Sequence, residues 1–147
     1  MTDIQAAIGL VELDRYDSET LPRRKAICER YHAGFAQEAA IDRPLLKDAH
    51  REGSYHLYML RVANATEEQR DAIIAAISAK EVSVNVHFIP LPLLSHYRNT
   101  GYRMEDYPNA YKHYSREISL PVYYDLSDEQ VDTVIDAVKE AVHAVMG

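Results

Sequence analysis

One histidine stands where a side chain could be presented to a ligand. His87 is the last polar residue of segment 82–88, in which branched or aromatic side chains alternate with polar ones. This two-residue period predicts a half-buried strand with Phe88 on its buried face, and Pro90 should end the strand just beyond the histidine. A strand end that leads into a loop is a rigid place from which to contact a ligand. The alternative is a solvated histidine on the polar face of the strand, and the spacing alone favours that alternative.

The loop after this strand brings tyrosines and arginines together. Tyr97 and Arg98 are followed by the pair Tyr102 and Arg103 and then by Tyr107. Their rings could stack on a sugar nucleotide while the guanidinium groups pair with its phosphates. The alternative is that the rings are half-buried packing groups whose hydroxyls reach water.

Other chemistries find no support in the spacing of residues. The seven histidines form no i, i+4 pair and no HxxEH or HxH motif, so no metal site is predicted. The glycines are isolated, which excludes a dinucleotide-binding or Walker-type phosphate loop, and no Gly-x-Ser-x-Gly turn of a hydrolase is present. Cys28 is the only cysteine, so we expect no intramolecular disulfide and expect this thiol to pack as a small hydrophobe.

Length and charge restrict the partners. The 147 residues suffice for one domain with its own core. The formal net charge of -7 repels polyphosphate backbones, so no nucleic-acid partner is expected. No stretch approaches the roughly 18 consecutive apolar residues of a membrane helix, and the opening MTDIQAA is neither a basic leader nor an apolar signal core. We therefore expect no membrane partner and a cytoplasmic location.

Three capping boxes mark helix starts, because in each a Ser or Thr is followed three residues later by a glutamine. They open at Thr2, Thr66 and Ser127. The first predicts a helix over 3–16, the second a helix with an isoleucine stripe, and the third a terminal helix whose apolar stripe is Val131, Val134, Ile135, Val138 and Val142. The first helix should end near residues 17–18, and Pro22 suits the first turn of a second helix running to about Gly34.

Two further segments have the composition of strands. Residues 54–62 read SYHLYMLRV and predict a strand largely buried on both faces. Ile118, Leu120 and Val122 alternate, and Pro121 among them requires an edge strand or a bend. The order of these elements predicts a single α+β domain over 1–147, with a small, mainly antiparallel sheet and helices on one side.

The first helix raises a question of its own. Its apolar positions Ile4, Ala7, Ile8 and Val11 follow helical spacing, and nothing upstream would cover their far side. One interpretation is that this helix docks on another domain or chain. The other is that it packs on the sheet of this domain, and the residue pattern leaves both open.

Three segments together resemble the DegT/DnrJ/EryC1/StrS family of PLP-dependent nucleotide-sugar aminotransferases. Residues 1–15, MTDIQAAIGLVELDR, resemble the segment that follows the family's large domain. Residues 84–102, VNVHFIPLPLLSHYRNTGY, resemble its histidine-bearing strand end and its tyrosine-arginine loop. Residues 106–138 resemble its PxAE segment, its SLP strand and its last helix, so the resemblance covers nearly the whole chain in the right order.

The resemblance implies the C-terminal small domain of a type I fold aminotransferase. Such enzymes move an amino group, commonly from glutamate, onto a nucleotide-linked keto-sugar, and they act as homodimers with sites at the subunit boundary. Pyridoxal phosphate (PLP) is the electron sink, and a lysine forms the Schiff base. None of the five lysines here lies in a loop like the family's, so the resemblance implies that the catalytic and cofactor-binding residues lie in a large domain outside these residues, to which helix 3–16 docks.

Carried over residue by residue, the resemblance makes His87, Phe88, Tyr97 and Arg98 the expected substrate contacts. The chain departs from the family at three positions: Pro92 replaces a second histidine, Glu81 a glycine that often turns into the strand, and Tyr111 the glutamate of PxAE. With the lysine outside it, this chain alone is not expected to transaminate. A non-catalytic dimerising module, or a truncated remnant of such an enzyme, stays open as the alternative.

Overall fold

The computed structural model describes residues 1–147 and contains six α-helices and one three-stranded sheet. The helices are α1 (Asp3–Arg15), α2 (Leu21–Gly34), α3 (Glu67–Ser78), α4 (Ser95–Asn99), α5 (Pro108–Tyr114) and α6 (Asp128–Met146). The strands are β1 (Ile41–Asp42), β2 (Tyr58–Val62) and β3 (Glu117–Leu120), and short 3₁₀ turns cover Leu91–Leu93 and Met104–Asp106.

All three predicted capping boxes are confirmed. At the starts of α1, α3 and α6 the side chain of the capping Ser or Thr accepts from the backbone N–H three residues on, and the glutamine there accepts from the capping N–H in return. These reciprocal bonds satisfy amides that would otherwise have no partner at a helix start. The predicted stripe of α6 is buried along its whole length.

The predicted break after the first helix is wrong. A π-helical turn, Tyr16–Thr20, joins α1 to α2 without interruption. Pro22 lies in the first turn of α2, where its missing N–H removes no bond of that helix, so the backbone passes through. The predicted end of α2 at Gly34 is confirmed. A Cβ atom at Gly34 would come within 2.7 Å of the Ile135 side chain, so glycine allows α2 to approach α6 closely here.

The sheet is antiparallel with strand order β1-β2-β3. The predicted strand over 54–62 is wrong in its first half, because Tyr55 takes a left-handed conformation (φ 54°) and pairing begins only at Tyr58. Burial on both faces is also wrong, since Met59 is 38% exposed. β3 is an edge strand of the three and ends at Leu120, just before Pro121, as a proline requires.

The predicted strand over 82–88 is wrong. Of this segment only Asn85 pairs with the sheet, through two backbone hydrogen bonds to Ser119 of 3.2 and 2.8 Å. Val82 is buried as the alternation predicts, but Phe88 is 74% exposed rather than in the core. Because the segment pairs with β3 only at Asn85, the residues after it, including Phe88, need not follow the alternation of a strand.

The core lies between one face of the sheet and helices α2, α3 and α6. Tyr58, Leu60 and Val62 alternate toward it from β2, and the ring of Tyr31 from α2 packs against Tyr58 with centroids 5.2 Å apart. The Tyr31 hydroxyl donates to the carbonyl of Pro121 at 3.0 Å. The predicted α+β class is therefore confirmed, with a small antiparallel sheet and the core helices on one side. No helix of the structure combines the length and apolarity that crossing a bilayer requires.

The helix α1 contributes nothing to this core. None of its residues is buried, and its large apolar side chains are all more than 60% exposed: Ile4, Ile8, Leu10, Val11 and Leu13. The structure therefore excludes the interpretation that α1 packs on the sheet of this domain. The helix projects an uncovered apolar surface into solvent.

Candidate functional site

A cleft of about 520 Å³ lies over the face of the sheet that the helices leave free. Its floor is formed by Met59 and Arg61 of β2 and Glu117 of β3. One wall is the chain at His87, Phe88 and Pro90, and the others come from residues 44–45 and from α5. The floor of the site is thus built on the paired strands β2 and β3, the central strand and one edge strand of the sheet.

His87 is fixed in this cleft through its backbone. Its N–H donates to the Oε2 atom of Glu117 at 2.9 Å, and the Oε1 atom of the same carboxylate accepts from the Ser119 hydroxyl. The imidazole is half-buried, and its Nδ1 atom is enclosed without a hydrogen-bond partner. The ring meets the exposed Phe88 edge-on, with centroids 4.6 Å apart. His87 therefore lines a cleft whose rim is aromatic, with its Nδ1 atom enclosed.

The structure does not bring Tyr97 and Arg98 into the same cleft. Both lie on the short helix α4, and Arg98 is exposed along a separate groove that Tyr102 also lines. The Tyr97 ring meets Tyr102 edge-on at 5.8 Å, and Tyr102 in turn stacks on Tyr107 at 6.5 Å. The four expected contact residues thus form two neighbouring surfaces along the chain, one at His87 and Phe88 and one at α4.

Two charged residues of the cleft, Arg61 and Glu117, were not predicted from the sequence. Arg61 sits within an apolar run that predicts a buried strand, and Glu117 precedes the alternating residues of β3. Their Cα atoms are direct partners across the β2–β3 ladder, so both side chains rise from the same face of the sheet. No local pattern reveals this, because only the pairing register determines which residues share the floor.

Each departure from the family pattern has a visible structural setting. Glu81 takes a left-handed conformation (φ 61°), which a glycine would adopt without strain. The Tyr111 hydroxyl donates to the Oε2 atom of Glu67 at 2.9 Å and so ties α5 to α3. Pro92 lies in the 3₁₀ turn after Pro90 and has no side-chain donor to offer.

The residues of this chain do not fit a PLP site. Such a site needs a lysine that faces an enclosed cleft and can form a Schiff base. Lys25 and Lys47 both donate to Glu52, and Lys80 pairs with Glu140. The two others are Lys139, which lies 3.8 Å from Glu38, and the exposed Lys112. None of the five lines the cleft at His87.

Buried Cys28 does not form a nucleophilic site either. Its side chain is fully enclosed in the core, and burial raises the pKa of the thiol to about 12, so the reactive thiolate is scarce at neutral pH. The expectation that it packs as a small hydrophobe is confirmed. No group of three or more His, Cys, Asp or Glu side chains is arranged to hold a metal ion.

Comparison with known proteins gives matches over nearly the whole chain. SpsC of Bacillus subtilis, a spore coat polysaccharide biosynthesis protein, is 38% identical over 145 residues, which are 97% of this chain and 37% of SpsC. Spr1654 of Streptococcus pneumoniae, a proposed sugar aminotransferase, in its PLP form matches 100% of this chain and 37% of its own at 45% identity and a TM-score of 0.95. DesV of S. venezuelae matches 94% of this chain and 36% of its own at 27% identity and a TM-score of 0.83.

The chain spans little more than a third of the length of the relatives it matches. Within that third the likeness extends from the exposed α1 to the buried stripe of α6, so it is a likeness of a whole domain. The sequence profile of one family matches residues 1–139. This chain belongs to the DegT/DnrJ/EryC1/StrS aminotransferase family.

Proposed function

We propose that this chain is the C-terminal part of a PLP-dependent enzyme that transfers an amino group, with glutamate as donor, to a keto-sugar carried on a nucleotide. The observation that carries the proposal is the match to sugar aminotransferases over the whole chain, at a share of only about 37% of their length. The family match indicates the reaction of the whole enzyme, and the residues of the candidate site indicate what this domain contributes to it.

The cofactor side of the reaction belongs to the other domain in this proposal. Four of the lysines are in ion pairs, the fifth is exposed, and none of the five lines the cleft at His87. PLP, when bound to the large domain, supplies the electron sink for moving the amino group. The part left to this chain is to close the cleft and to bind the substrate.

The helix α1 is the proposed docking element for that large domain. Its five large apolar side chains are exposed by 63–75%, an unusual surface for a helix that stays in water. In the relatives, nearly two thirds of the chain lies outside the matched part, and this remainder is large enough to contain a domain that covers α1. Burying this face in the full enzyme would anchor the small domain beside the cofactor.

Substrate binding is assigned to His87, Phe88, Tyr97 and Arg98. His87 supplies an imidazole that lines the cleft, and the exposed Phe88 gives a surface on which a sugar or base could stack. Tyr97 and Arg98 form a second contact surface on α4. A homodimer with sites at the subunit boundary would use both surfaces, since each lies open in the isolated chain.

A chimeric enzyme tests the proposal. Residues 1–147 replace the matching third of Spr1654, and product formation from a nucleotide keto-sugar and glutamate is followed by mass spectrometry. The chimera is expected to retain PLP and to form the amino sugar. Within it, His87→Asn should lower the rate by about tenfold or more, since it removes a ring nitrogen from the cleft. His50→Asn, at an exposed turn, is the matched control and should leave the rate unchanged.

The isolated chain supplies the complementary result. Mixed with PLP and reduced with borohydride, it should give no stoichiometric adduct, and a single such adduct at one of its five lysines would contradict the proposal. The DNA upstream of the Met1 codon offers an independent check, because an in-frame cofactor domain supports an enzyme part. A stop codon there would favour the alternative, a non-catalytic module that buries α1 in a homodimer, which light scattering detects as a dimer.

A further inference from the structure

The cleft over the sheet contains one arginine without a partner. Arg61 is half-buried in the floor, and its guanidinium forms no hydrogen bond or ion pair with any protein group. Every other arginine except the exposed Arg98 has at least one such partner. None of its guanidinium nitrogens is buried, so a ligand oxygen that enters the cleft can bind to them without breaking a contact within the protein.

The carboxylates beside Arg61 in the sheet are engaged elsewhere. Glu117, its partner on β3, accepts from the His87 N–H and from the Ser119 hydroxyl. Asp42, its partner on β1, lies 3.6 Å from Arg116. Neither acid therefore forms an ion pair with Arg61, although its Cα atom is flanked by an acidic residue on each side.

Two histidines line the same space. The Nδ1 atom of His87 is enclosed and has no partner, and His113 of α5 also lines the cleft. Leu45, Phe88 and Pro90 supply apolar walls around these polar groups. An apolar cleft with a few converging polar groups is the usual form of a small-molecule site, and apolar walls strengthen a charge-assisted hydrogen bond by excluding water.

We propose that Arg61 is the anion-binding residue of this cleft, receiving a carboxylate or phosphate group through the fork of its guanidinium, with His87 as an adjacent polar contact. Planar guanidinium groups match both kinds of anion in a two-bonded geometry. The identity of the anion rests on the proposed function, which offers two sources: the carboxylate of the amino donor and the diphosphate of the nucleotide sugar.

Titration of the 147-residue chain by ¹H–¹⁵N NMR tests this inference. L-glutamate and UDP-N-acetylglucosamine are the two probes, and each is added to saturation while the amides of Arg61 and His87 are followed. Binding is expected with a dissociation constant of about 1 mM or somewhat weaker, as suits an open half-site. Saturation by glutamate alone assigns the carboxylate source, and saturation by the sugar nucleotide alone assigns the phosphate source.

Variants decide whether Arg61 is responsible. Arg61→Gln should weaken binding at least about tenfold, and Arg61→Lys should weaken it less because the charge remains while the fork is lost. Arg51→Gln is the matched control, since it removes one positive charge from a side chain that is 75% exposed and lies outside the cleft. If Arg61→Gln does not give a dispersed spectrum, Arg61→Lys decides, and an affinity equal to that of the unmodified chain then contradicts the inference.

Two results overturn the inference: no saturable shift with either probe, or unchanged affinity when Arg61 is replaced. Neither result touches the proposed function, because the chimera measures PLP binding and amino-sugar formation independently. Conversely, an inactive chimera together with Arg61-dependent binding would sink the proposed function and leave the anion site in place.

Discussion

Replacing the apolar face of α1 with glutamines should leave the fold of the isolated chain intact. In the variant Ile4→Gln/Ile8→Gln/Val11→Gln, the three side chains lost are 75%, 63% and 64% exposed. Exposed substitutions of this kind shift the free energy of unfolding by about 0.5 kcal/mol or less. If α1 packed on the domain's own core, each lost side chain would cost about 1.5–3 kcal/mol, or roughly 5–9 kcal/mol together.

Urea unfolding followed by circular dichroism, at two protein concentrations, separates these cases. The control is Ile77→Ala on α3, whose side chain is fully buried and whose truncation should cost about 2–5 kcal/mol. If the parent chain is more stable at the higher protein concentration and the α1 variant is not, α1 lies in an interface between two copies of the chain. Association stabilises the folded state by mass action.

A concentration-independent loss above about 2 kcal/mol would refute the reasoning, since it would mean that α1 belongs to the core of this domain. In the chimera, the same triple variant is expected to lower stability. There the face is proposed to be covered by the large domain, so polar side chains should destabilise the chimera by several kcal/mol, about 1.5–3 for each. Equal stability of the variant and parent chimeras would remove the docking assignment.

Three further predictions concern single residues. Burial raises the pKa of Cys28 to about 12, so Ellman's reagent should label this thiol only as fast as the chain unfolds, and rapid labelling of the native state would contradict its burial. Glu81→Gly should raise the free energy of unfolding by about 0.5–1 kcal/mol, because glycine takes the left-handed conformation more easily. An unchanged or lower midpoint of thermal denaturation would contradict this prediction. Hydrogen bonds from Lys47 and Lys25 lower the pKa of Glu52 to about 2, so its stabilising contribution is complete above the ordinary value of 4.5 and is lost as pH falls toward 2. A carbon-detected NMR titration should find that low midpoint, and Glu52→Gln should make stability less dependent on pH across the same window.

Elements whose signals are local were predictable from the sequence. A capping hydroxyl and its glutamine lie three residues apart, so the starts at Thr2, Thr66 and Ser127 can be read without knowing the fold. The apolar stripe of α6 is equally local, because helical spacing alone places its valines on one face. The class of the fold followed from the order of such elements.

Strands were less predictable because their partners lie far away in the sequence. The alternation over 82–88 is genuine, yet only Asn85 finds a partner on β3, so the pattern marks an extended segment rather than a strand. β1 has two residues and no pattern of its own, and exists only because Ile41 pairs with Val62. Pairing register, which no single segment contains, decided each of these cases.

The same reason divides the candidate site. His87 could be singled out from its position before a proline and a loop, whereas Arg61 looked like part of a buried strand. Its importance comes from two contacts that are absent: Glu117 is engaged by His87 and Ser119, and Asp42 is near Arg116. Which arginine lacks a partner is a property of the assembled fold, so sequence spacing could not reveal it.

The distribution of burial is itself an argument about assembly. On the helix side of the sheet, Tyr31, Leu60 and Val138 belong to a closed core with nothing left to cover. On the other side, the cleft with Arg61 and the aromatic rim at Phe88 stay open, and α1 projects its apolar face into solvent. A self-sufficient module would gain little from keeping both surfaces uncovered, since each costs solvation free energy in water. If the large domain covers α1 and a ligand engages Arg61, each of the two open surfaces has an occupant in the full enzyme.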